Sequence, residues 1–412
     1  MLSRITFIIS HFKIKFMLRS VVFFLFLVLM SSCINPYHVD IKKYKDLLVV
    51  DGGITDENKS HFIKLTRSIA NLDETPLAET AAHVVITCDD GTIEVLKEIE
   101  PGVYKTDSVN FVVKIGKAYK LSIQTSNGRS YHSEECEILK PTEIGKVYFN
   151  RNDIVSVSNE ELEGISFFVD GRAPKDAYLR WMYDEDWKFS IPYPSLIDFD
   201  ENKELENISI ENKYCWKKSN SHEIIIQSLQ GQNSSEVKGK EVCFIPSDNT
   251  DRFNIKYAIN IKQLRISEKE YQFWNKLKES SQEVGDVFGT QPFTIEGNVR
   301  SDNDKNESVL GYFQTGSVAS KRIFIDYEDI VGLKLELRNN SRFCPVDTII
   351  VDYYNFHTLY DIYKEYVLKR KWKIYDRLEQ EIGEPDGLMV VTPYCNDCSL
   401  SGSTKKPLFW ED

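Results

Sequence analysis

The sequence lacks a hydrophobic run long enough to cross a bilayer as a helix. Its longest apolar run has about ten residues, from Val21 to Met30, whereas a transmembrane helix needs about 20. Four basic residues precede this run, and no acidic residue occurs before Asp40. A basic region followed by a short apolar region is typical of a cleaved secretory signal, so we expect an exported protein.

Motifs that mark common enzyme classes are also missing. There is no Gly-x-x-x-x-Gly-Lys-Ser/Thr loop, no Gly-x-Gly-x-x-Gly between a strand and a helix, and no Gly-x-Ser-x-Gly elbow. None of the histidines after the signal lies at metal-ligand spacing from another. Asp184 and Asp186 could serve a glycoside hydrolase, but chance produces such pairs among 63 acidic residues. We therefore expect a protein without catalytic residues, cofactor or metal.

The apolar run ends in Leu29-Met30-Ser31-Ser32-Cys33, where small residues precede a cysteine. This pattern resembles the bacterial lipobox, whose cysteine becomes the first residue of the mature chain and receives lipid. We predict a signal peptide over residues 1–32, lipidation of Cys33, and a polar tether over residues 33–45. Several acyl chains at Cys33 would hold the protein stably at a membrane. An ordinary signal peptide followed by a chance cysteine is the alternative.

Acidic residues outnumber basic ones after the signal. The whole sequence has a net charge of −12, and four of its basic residues lie in the signal, which leaves a mature net charge of about −16. Such an acidic chain is a poor partner for nucleic acid or for an anionic membrane surface. It suits a soluble body held beside a membrane.

Seven cysteines follow Cys33, and in an exported protein they are disulfide candidates. They are Cys88, Cys136, Cys215, Cys243, Cys344, Cys395 and Cys398. Their positions in neighbouring strand-like runs favour the pairs Cys88–Cys136 and Cys215–Cys243. Cys344 then competes for Cys395 or Cys398, and one thiol stays free. The closing Cys-x-x-Cys is also half of a zinc site, but no second pair accompanies it.

Short β-rich runs separated by turn residues dominate the first part of the mature chain. Examples are Leu47–Val50 and His83–Cys88, and Asp89-Asp90-Gly91 forms a hairpin turn after the second. Short strands with turns every 8–12 residues are typical of an antiparallel sandwich. We predict a mostly β protein with an immunoglobulin- or transthyretin-like sandwich over residues 46–142. A larger β-sandwich-type domain with one or two helices follows over residues 143–412.

The second domain contains an aromatic-rich segment. Residues 184–222 are polar and aromatic, with two prolines, and we predict a long loop there. The aromatic residues in and beside this loop are candidates for recognising a sugar or a partner, because flat rings bind with little loss of entropy. The candidates are Trp181, Tyr183, Trp187, Phe189, Tyr193 and Trp216. Packing of the same rings into the sandwich core is the favoured alternative.

Helix signals are few. Ser267-Glu268-Lys269-Glu270 forms a capping box, and apolar residues at helical spacing follow it, so we predict a helix over 268–283. A second helix is predicted over about 358–382, where apolar residues alternate with dense charges before Gly383 and Pro385.

Several segments together resemble one family, the Bacteroidota outer-membrane lipoproteins of domain-of-unknown-function family 4249. The most specific segment is the ending, in which Cys395-Asn396-Asp397-Cys398 is followed by Gly402 and Pro407-Leu408-Phe409-Trp410. Similar segments occur at Cys33–Tyr37 and Leu47–Gly52, and the likeness covers nearly all of the mature chain.

The resemblance implies an outer-membrane location beside a TonB-dependent receptor or another β-barrel. It favours the cell surface over the periplasmic face, although residues 34–39 lack the acidic motif that marks surface display. Our leading hypothesis is a non-catalytic accessory or ligand-capture partner of a TonB-dependent transporter. A structural or assembly role in the envelope and a glycan-active hydrolase are the alternatives.

Overall fold

The structure is a computed structural model. It describes residues 46–69, 75–156, 159–210, 212–232, 235–248, 250–283, 295–337, 344–352, 354–378 and 386–411. The predicted signal, Cys33 and the tether lie outside these residues. Every helix and strand named below belongs to one compact unit formed by residues 47–68 and 76–412. Strands make up 48% of the described residues and helices 11%, which confirms the predicted mostly β class.

The strands of the first part of the chain are short, and those of the second part are longer. The first eleven are β1 Leu48–Thr55, β2 Phe62–Arg67, β3 His83–Cys88, β4 Ile93–Val95, β5 Lys97–Glu100, β6 Val103–Lys105, β7 Ala118–Gln124, β8 Ser130–Ser133, β9 Cys136–Glu137, β10 Glu143–Val155 and β11 Glu161–Arg172. The next six are β12 Tyr178–Ser190, β13 Ile197–Phe199, β14 Leu205–Asn207, β15 Tyr214–Asn220, β16 Ile225–Ser228 and β17 Glu236–Pro246. The last six are β18 Lys256–Ile266, β19 Val299–Ser301, β20 Leu310–Asp326, β21 Asp347–Ile350, β22 Lys373–Arg377 and β23 Gly387–Val391.

One long strand, β20, connects the two halves of the largest described sheet. That sheet has the order β15-β12-β18-β20-β1-β2-β6-β5, and β16 also pairs with β12. The first half of β20 runs parallel to β1, from Leu310 to Gly316. Its second half runs antiparallel to β18, from Ser317 to Asp326. The β1–β2–β6–β5 hairpins and the β12–β18 pair therefore share one continuous backbone hydrogen-bond network.

A first sandwich forms where a second sheet, of order β19-β8-β7-β3-β4 with β9 on β7, covers the β1–β2–β6 part of the large sheet. Every second residue of β3 and β7 is buried, the period of a strand with one face in a core. Leu121 and Val84 of the covering sheet share this core with Val50 and Leu65 of the large sheet. β19 and the first half of β20 also enter this sandwich, so residues near 300–316 complete a unit that residues 46–142 begin.

A second sandwich forms where the sheet β10-β11-β17 covers β12 and β18. Its core contains Phe167 and Val169 from one sheet and Trp181, Ile259 and Ile261 from the other, all fully buried. Two smaller sheets, β13-β14 and β21-β23-β22, share a separate core around Ile362 and Ile374.

The helix α1, Glu268–Glu283, has the bounds that its capping pattern predicts. A short helix, α2, spans Tyr327–Gly332. The prediction of one helix over about 358–382 is wrong beyond its first half. Here α3 spans Leu359–Ile362 and continues as a π-helix over Tyr363–Lys369. Lys371 then adopts a left-handed conformation with φ of 65°, and the chain continues as β22. Ile374 of β22 is buried in the third core, and this tertiary packing decides against a longer helix.

The predicted loop over 184–222 is also wrong at both ends. β12 extends to Ser190, and β15 begins at Tyr214 and pairs with it from Ser190 to Asp184. Trp187 and Phe189 point into the core on every second residue, so the polar residues between them lie on the other face of a strand. Within the described residues, no helix is both long and apolar enough to span a membrane.

Candidate functional site

Two disulfides tie the Cys-x-x-Cys segment to distant parts of the chain. Cys398 is bonded to Cys215 of β15, and Cys395 is bonded to Cys344 just before β21. The two cysteines of the motif lie in separate 3-10 turns, and the Asp397 side chain caps the second turn by accepting a hydrogen bond from Ser399 N–H. Both sulfurs are oxidised, so this motif does not offer thiolate ligands to zinc.

An open cleft of about 740 Å³ lies beside this segment, between the β13–β14 hairpin and the π-helix after α3. We call it the C-terminal cleft. One part of its wall is polar, with the carboxylates of Asp198, Glu206 and Asp397, the ammonium group of Lys373 and the amides of three asparagines. The asparagines are Asn207, Asn212 and Asn396. The other part is apolar. Ile197, Tyr363, Val367 and Ile374 come from the third core, and Ile208 and the exposed Leu368 complete this part of the wall.

The polar groups at the base of the C-terminal cleft are held in place by hydrogen bonds. The buried Asn396 donates from Nδ2 to the Tyr193 carbonyl at 2.8 Å and to Ser195 Oγ at 2.9 Å. Ser195 Oγ donates to the Ile374 carbonyl at 2.6 Å. These contacts join the Cys-x-x-Cys segment, the β12–β13 connection and β22, so the cleft has a rigid polar base.

A second, smaller pocket of about 210 Å³ lies against the face of the large sheet near the end of β1. We call it the Glu270 pocket. Its walls come from β1, the 59–62 segment, Met182, Leu264, Glu270 of α1 and residues 314–316 of β20. The Glu270 side chain is 1% exposed. One carboxylate oxygen accepts from Trp274 Nε1 and the other from Thr315 N–H, each at 3.3 Å.

Arg180 lies behind the Glu270 pocket. Its guanidinium carbon is 3.6 Å from the centre of the Trp274 ring, and its Nη1 donates to Gln314 Oε1 at 2.8 Å. Its Nε–H is buried without a hydrogen-bond partner among the described residues. Burial raises the pKa of Glu270 to about 7, although the charge of Arg180 opposes this shift. Burial also lowers the pKa of Arg180 to about 10.

The predicted binding aromatics do not form an exposed recognition surface. Trp181 is fully buried and donates from Nε1 to Gln263, and Trp187 is 6% exposed and donates from Nε1 to Asp251. Tyr183 is half-buried against the second core. These rings point inward because residues 181, 183 and 187 lie on the same face of β12, and this face forms the core.

Of the remaining three candidate aromatics, Phe189 is 4% exposed in the second core, and the other two lie near the disulfides. Trp216 is half-buried and makes an edge-on contact with the buried Trp410, with 6.4 Å between the ring centres. Tyr193 packs edge-on against Tyr375 at 5.0 Å, and its carbonyl belongs to the base of the C-terminal cleft. None of the six candidate aromatics lines the C-terminal cleft or the Glu270 pocket, and Tyr193 approaches the cleft only through the carbonyl that accepts from Asn396.

Two predicted disulfides are wrong, and Cys88, Cys136 and Cys243 are free thiols. Cys88 of β3 and Cys136 of β9 both pair with Tyr119 of β7, from opposite sides, so a whole strand separates them. Cys243 belongs to β17, in the sheet that covers the sheet containing Cys215. Cys344, which was predicted to pair with either Cys395 or Cys398, is bonded to Cys395. Burial raises the pKa of Cys136 to about 11, which makes it a poor nucleophile.

Asp184 and Asp186, the acid pair considered for glycoside hydrolysis, are both engaged in ion pairs. Asp184 contacts Lys262, and Asp186 contacts Arg322 at 3.3 Å. Neither residue lines the C-terminal cleft or the Glu270 pocket.

Sequence reasoning missed both cavities. The capping box gave a signal for Glu270, but only half of that motif forms: the Glu270 N–H donates to Ser267 Oγ, while its carboxylate turns inward to Trp274 and Thr315. The sequence therefore predicted the position of Glu270 at the start of the helix. It did not predict that the Glu270 carboxylate is buried, because this depends on contacts that form only in the folded chain.

The model of one protein family matches residues 34–322 of this chain, which is more than half of its length. The chain belongs to the DUF4249 family, described as a domain of unknown function. No curated protein matches it. Among solved structures, the B domain of a biofilm-associated protein is 7% identical, and the alignment covers 67% of this chain and 86% of that one with a TM-score of 0.11. This TM-score is too low to indicate a common fold. The DUF4249 match ends at residue 322, before the Cys-x-x-Cys segment.

Proposed function

We propose that this DUF4249 protein is a non-catalytic lipoprotein, anchored in the outer membrane through Cys33, that captures a ligand for a TonB-dependent transporter. The observation that carries this proposal is the C-terminal cleft. Its volume of about 740 Å³ falls in the range of ligand sites, about 300–1,000 Å³. Its combination of hydrogen-bonding groups and an apolar wall is also typical of such sites.

The compartment in this proposal rests on two independent features. The sequence Leu29–Cys33 resembles a lipobox, and residues 33–45 would tether the body to the lipid. The two disulfides belong to an oxidising environment outside the cytoplasm, because cytoplasmic thiols are kept reduced. Both features favour export, and the lipobox alone also favours membrane anchoring.

The arrangement of the cleft favours binding over chemistry. Asn396 and Ser195 are fixed by contacts to each other and to backbone carbonyls, which suits recognition of a polar ligand. The carboxylates of Asp198 and Asp397 each accept a backbone N–H from a neighbouring residue. We therefore expect the cleft to recognise hydroxyl or amine groups while an apolar part of the ligand lies on Val367 and Leu368.

Affinity purification of the tagged full-length protein from membranes tests the partner. We expect a TonB-dependent β-barrel to be recovered with it. Recovery of a barrel-assembly complex would favour the structural or assembly alternative, and recovery without any β-barrel would contradict both roles.

The cleft itself can be tested by filling it. Ser209 is exposed and lines the C-terminal cleft, so Ser209→Trp should narrow it without disturbing a core. Ser320→Trp, at an exposed position of β20 away from the cleft, is the matched control. A deletion strain should show a growth defect on particular nutrients that the control restores and Ser209→Trp does not. Equal rescue by both variants would remove the cleft from the proposal.

A further inference from the structure

The Glu270 pocket shares no lining residue with the C-terminal cleft and carries a different chemistry. It contains a single buried carboxylate, which accepts two hydrogen bonds from the described residues, both 3.3 Å long. An ionised carboxylate has about four lone-pair sites and forms charge-assisted bonds that are normally shorter, about 2.7–2.9 Å. Glu270 therefore keeps capacity for a strong donor from the pocket.

The nearest buried cation does not fulfil this role. No described ion pair joins Arg180 to Glu270, since the guanidinium lies on the Trp274 ring and donates to Gln314. Burial outweighs the attraction of Arg180, because the pKa of Glu270 is still raised to about 7. A buried carboxylate without a direct cationic partner is costly, and an added cation would relieve that cost.

The other charged and titratable groups at the pocket do not repel a cation strongly. The His61 ring accepts a hydrogen bond from Thr55 N–H at Nδ1, and burial lowers the pKa of His61 to about 4, so the ring is neutral at neutral pH. Lys59 is exposed and forms an ion pair with Glu57. Its charge is therefore partly neutralised and lies in solvent, where it is screened.

The remaining lining is mixed: it includes the polar residues Thr55, Ser60, Gln314 and Thr315, but its larger part is apolar. Ile54, Phe62, Met182 and Leu264 surround the space in front of Glu270. The volume of about 210 Å³ is below that of sites for drug-sized molecules. A ligand that fits must be small, with an apolar body and one polar end.

We propose that the Glu270 pocket is a second binding site, which takes a small aliphatic amine with its ammonium group on the Glu270 carboxylate and its alkyl part between Phe62, Met182 and Leu264. This site is independent of the C-terminal cleft, so it stands even if the transporter role does not. Neutral alcohols and carboxylates of the same size should bind more weakly, because neither relieves the buried charge.

Titration of the purified full-length protein with n-butylammonium at pH 8 tests this site. The indole N–H of Trp274 donates to Glu270, so its two-dimensional ¹H–¹⁵N resonance, assigned with Trp274→Phe, should shift saturably. We expect n-butylammonium to bind at least about tenfold more tightly than n-butanol or butyrate, the ratio that a charge-assisted hydrogen bond supports. Absence of saturation, or equal binding of n-butanol or butyrate, would overturn the proposal.

Two variants and one control locate the binding. Glu270→Gln should reduce the preference for the amine over n-butanol to about twofold or less, and Glu268→Gln, exposed in the same first turn of α1, should keep it. Ser60→Trp narrows the pocket mouth without touching Glu270, so it should abolish the shift even if Glu270→Gln does not fold. Amine binding of wild-type strength in Ser60→Trp would place the ligand elsewhere and contradict the assignment.

Discussion

Glu185 and Arg252 form a two-pronged ion pair in the second sandwich. Arg252 Nε donates to Glu185 Oε2 at 2.9 Å, and Nη2 donates to Oε1 at 2.7 Å. The carboxylate is 4% exposed and also accepts from the Tyr257 hydroxyl at 2.8 Å. The Arg252 guanidinium also lies 4.5 Å from the centre of the Trp187 ring. The ion pair is therefore held by its own two hydrogen bonds, by the Tyr257 hydroxyl and by the Trp187 ring.

Removal of one member of this pair should be strongly destabilising. Arg252→Met leaves the Glu185 carboxylate buried with one hydroxyl donor, and we expect the free energy of unfolding to fall by about 3 kcal/mol, the lower end for a broken buried pair. Lys269→Met is the control, because the Lys269–Glu134 pair is largely exposed and should contribute less than about 1 kcal/mol. Urea unfolding followed by tryptophan fluorescence measures both, and equal losses would contradict the burial argument.

The Glu270 carboxyl predicts a pH dependence of stability. Its pKa is raised from 4.5 to about 7 on folding, so the folded state binds its proton more tightly than the unfolded state does. The resulting stabilisation is fully present below pH 4.5 and is lost as the pH rises to about 7. The loss amounts to roughly 3 kcal/mol, since each pKa unit corresponds to about 1.4 kcal/mol.

Glu270→Gln removes this titration. The wild-type protein should lose stability between pH 5 and pH 8 relative to Glu270→Gln, whereas Glu268→Gln should follow the wild type. Urea unfolding at several pH values measures the three curves. Parallel curves for the wild type and Glu270→Gln over this range would show that Glu270 does not titrate there.

Sequence patterns predicted the elements whose cause is local. The alternating burial of β3 and β7 follows from alternating residue types, and α1 begins where Ser267 caps it. Features that depend on distant residues were not predictable in this way. The partner of Cys215 is 183 residues away, and nothing near Cys215 distinguishes Cys398 from Cys243. Trp187 was predicted to lie in a loop, and only the pairing of β15 with β12 places it in a strand.

The cavities belong to this second class of features. The Glu270 pocket combines residues from β1, β12, β18, α1 and β20, which are brought together only because β20 pairs with β1 on one side and β18 on the other. The C-terminal cleft likewise depends on the disulfides that hold residues 395–398 beside β13 and β22.

The two disulfides should differ in their contribution to stability. The Cys215–Cys398 bond closes a span of 183 residues and the Cys344–Cys395 bond one of 51. Loop-closure entropy gives about 5 kcal/mol for the first and about 4 kcal/mol for the second, as upper limits. Paired Cys→Ser variants should therefore rank in that order in urea unfolding, with free thiols counted by mass spectrometry after alkylation. If the Cys215/Cys398 double variant unfolded at the same urea concentration as the wild type, the C-terminal segment would pack in place without the Cys215–Cys398 disulfide.

Gly311 of β20 lies directly against the backbone of β1. Its φ is +83°, and a Cβ there would lie 2.0 Å from the Val50 carbonyl oxygen. Gly311→Ala therefore combines a disfavoured backbone conformation with a backbone clash, and we expect a loss of about 3 kcal/mol or more.

Gly91 separates these two effects, because its φ is +88° and no atom lies within 4 Å of the position that a Cβ would occupy. Gly91→Ala should cost only about 1 kcal/mol, from the backbone conformation alone. Thermal unfolding of the two variants measures the difference. Equal losses of stability in the two variants would show that β1 and β20 can move apart to make room for a Cβ. The shared sheet would then not connect the two sandwiches rigidly, contrary to what its continuous hydrogen bonding indicates.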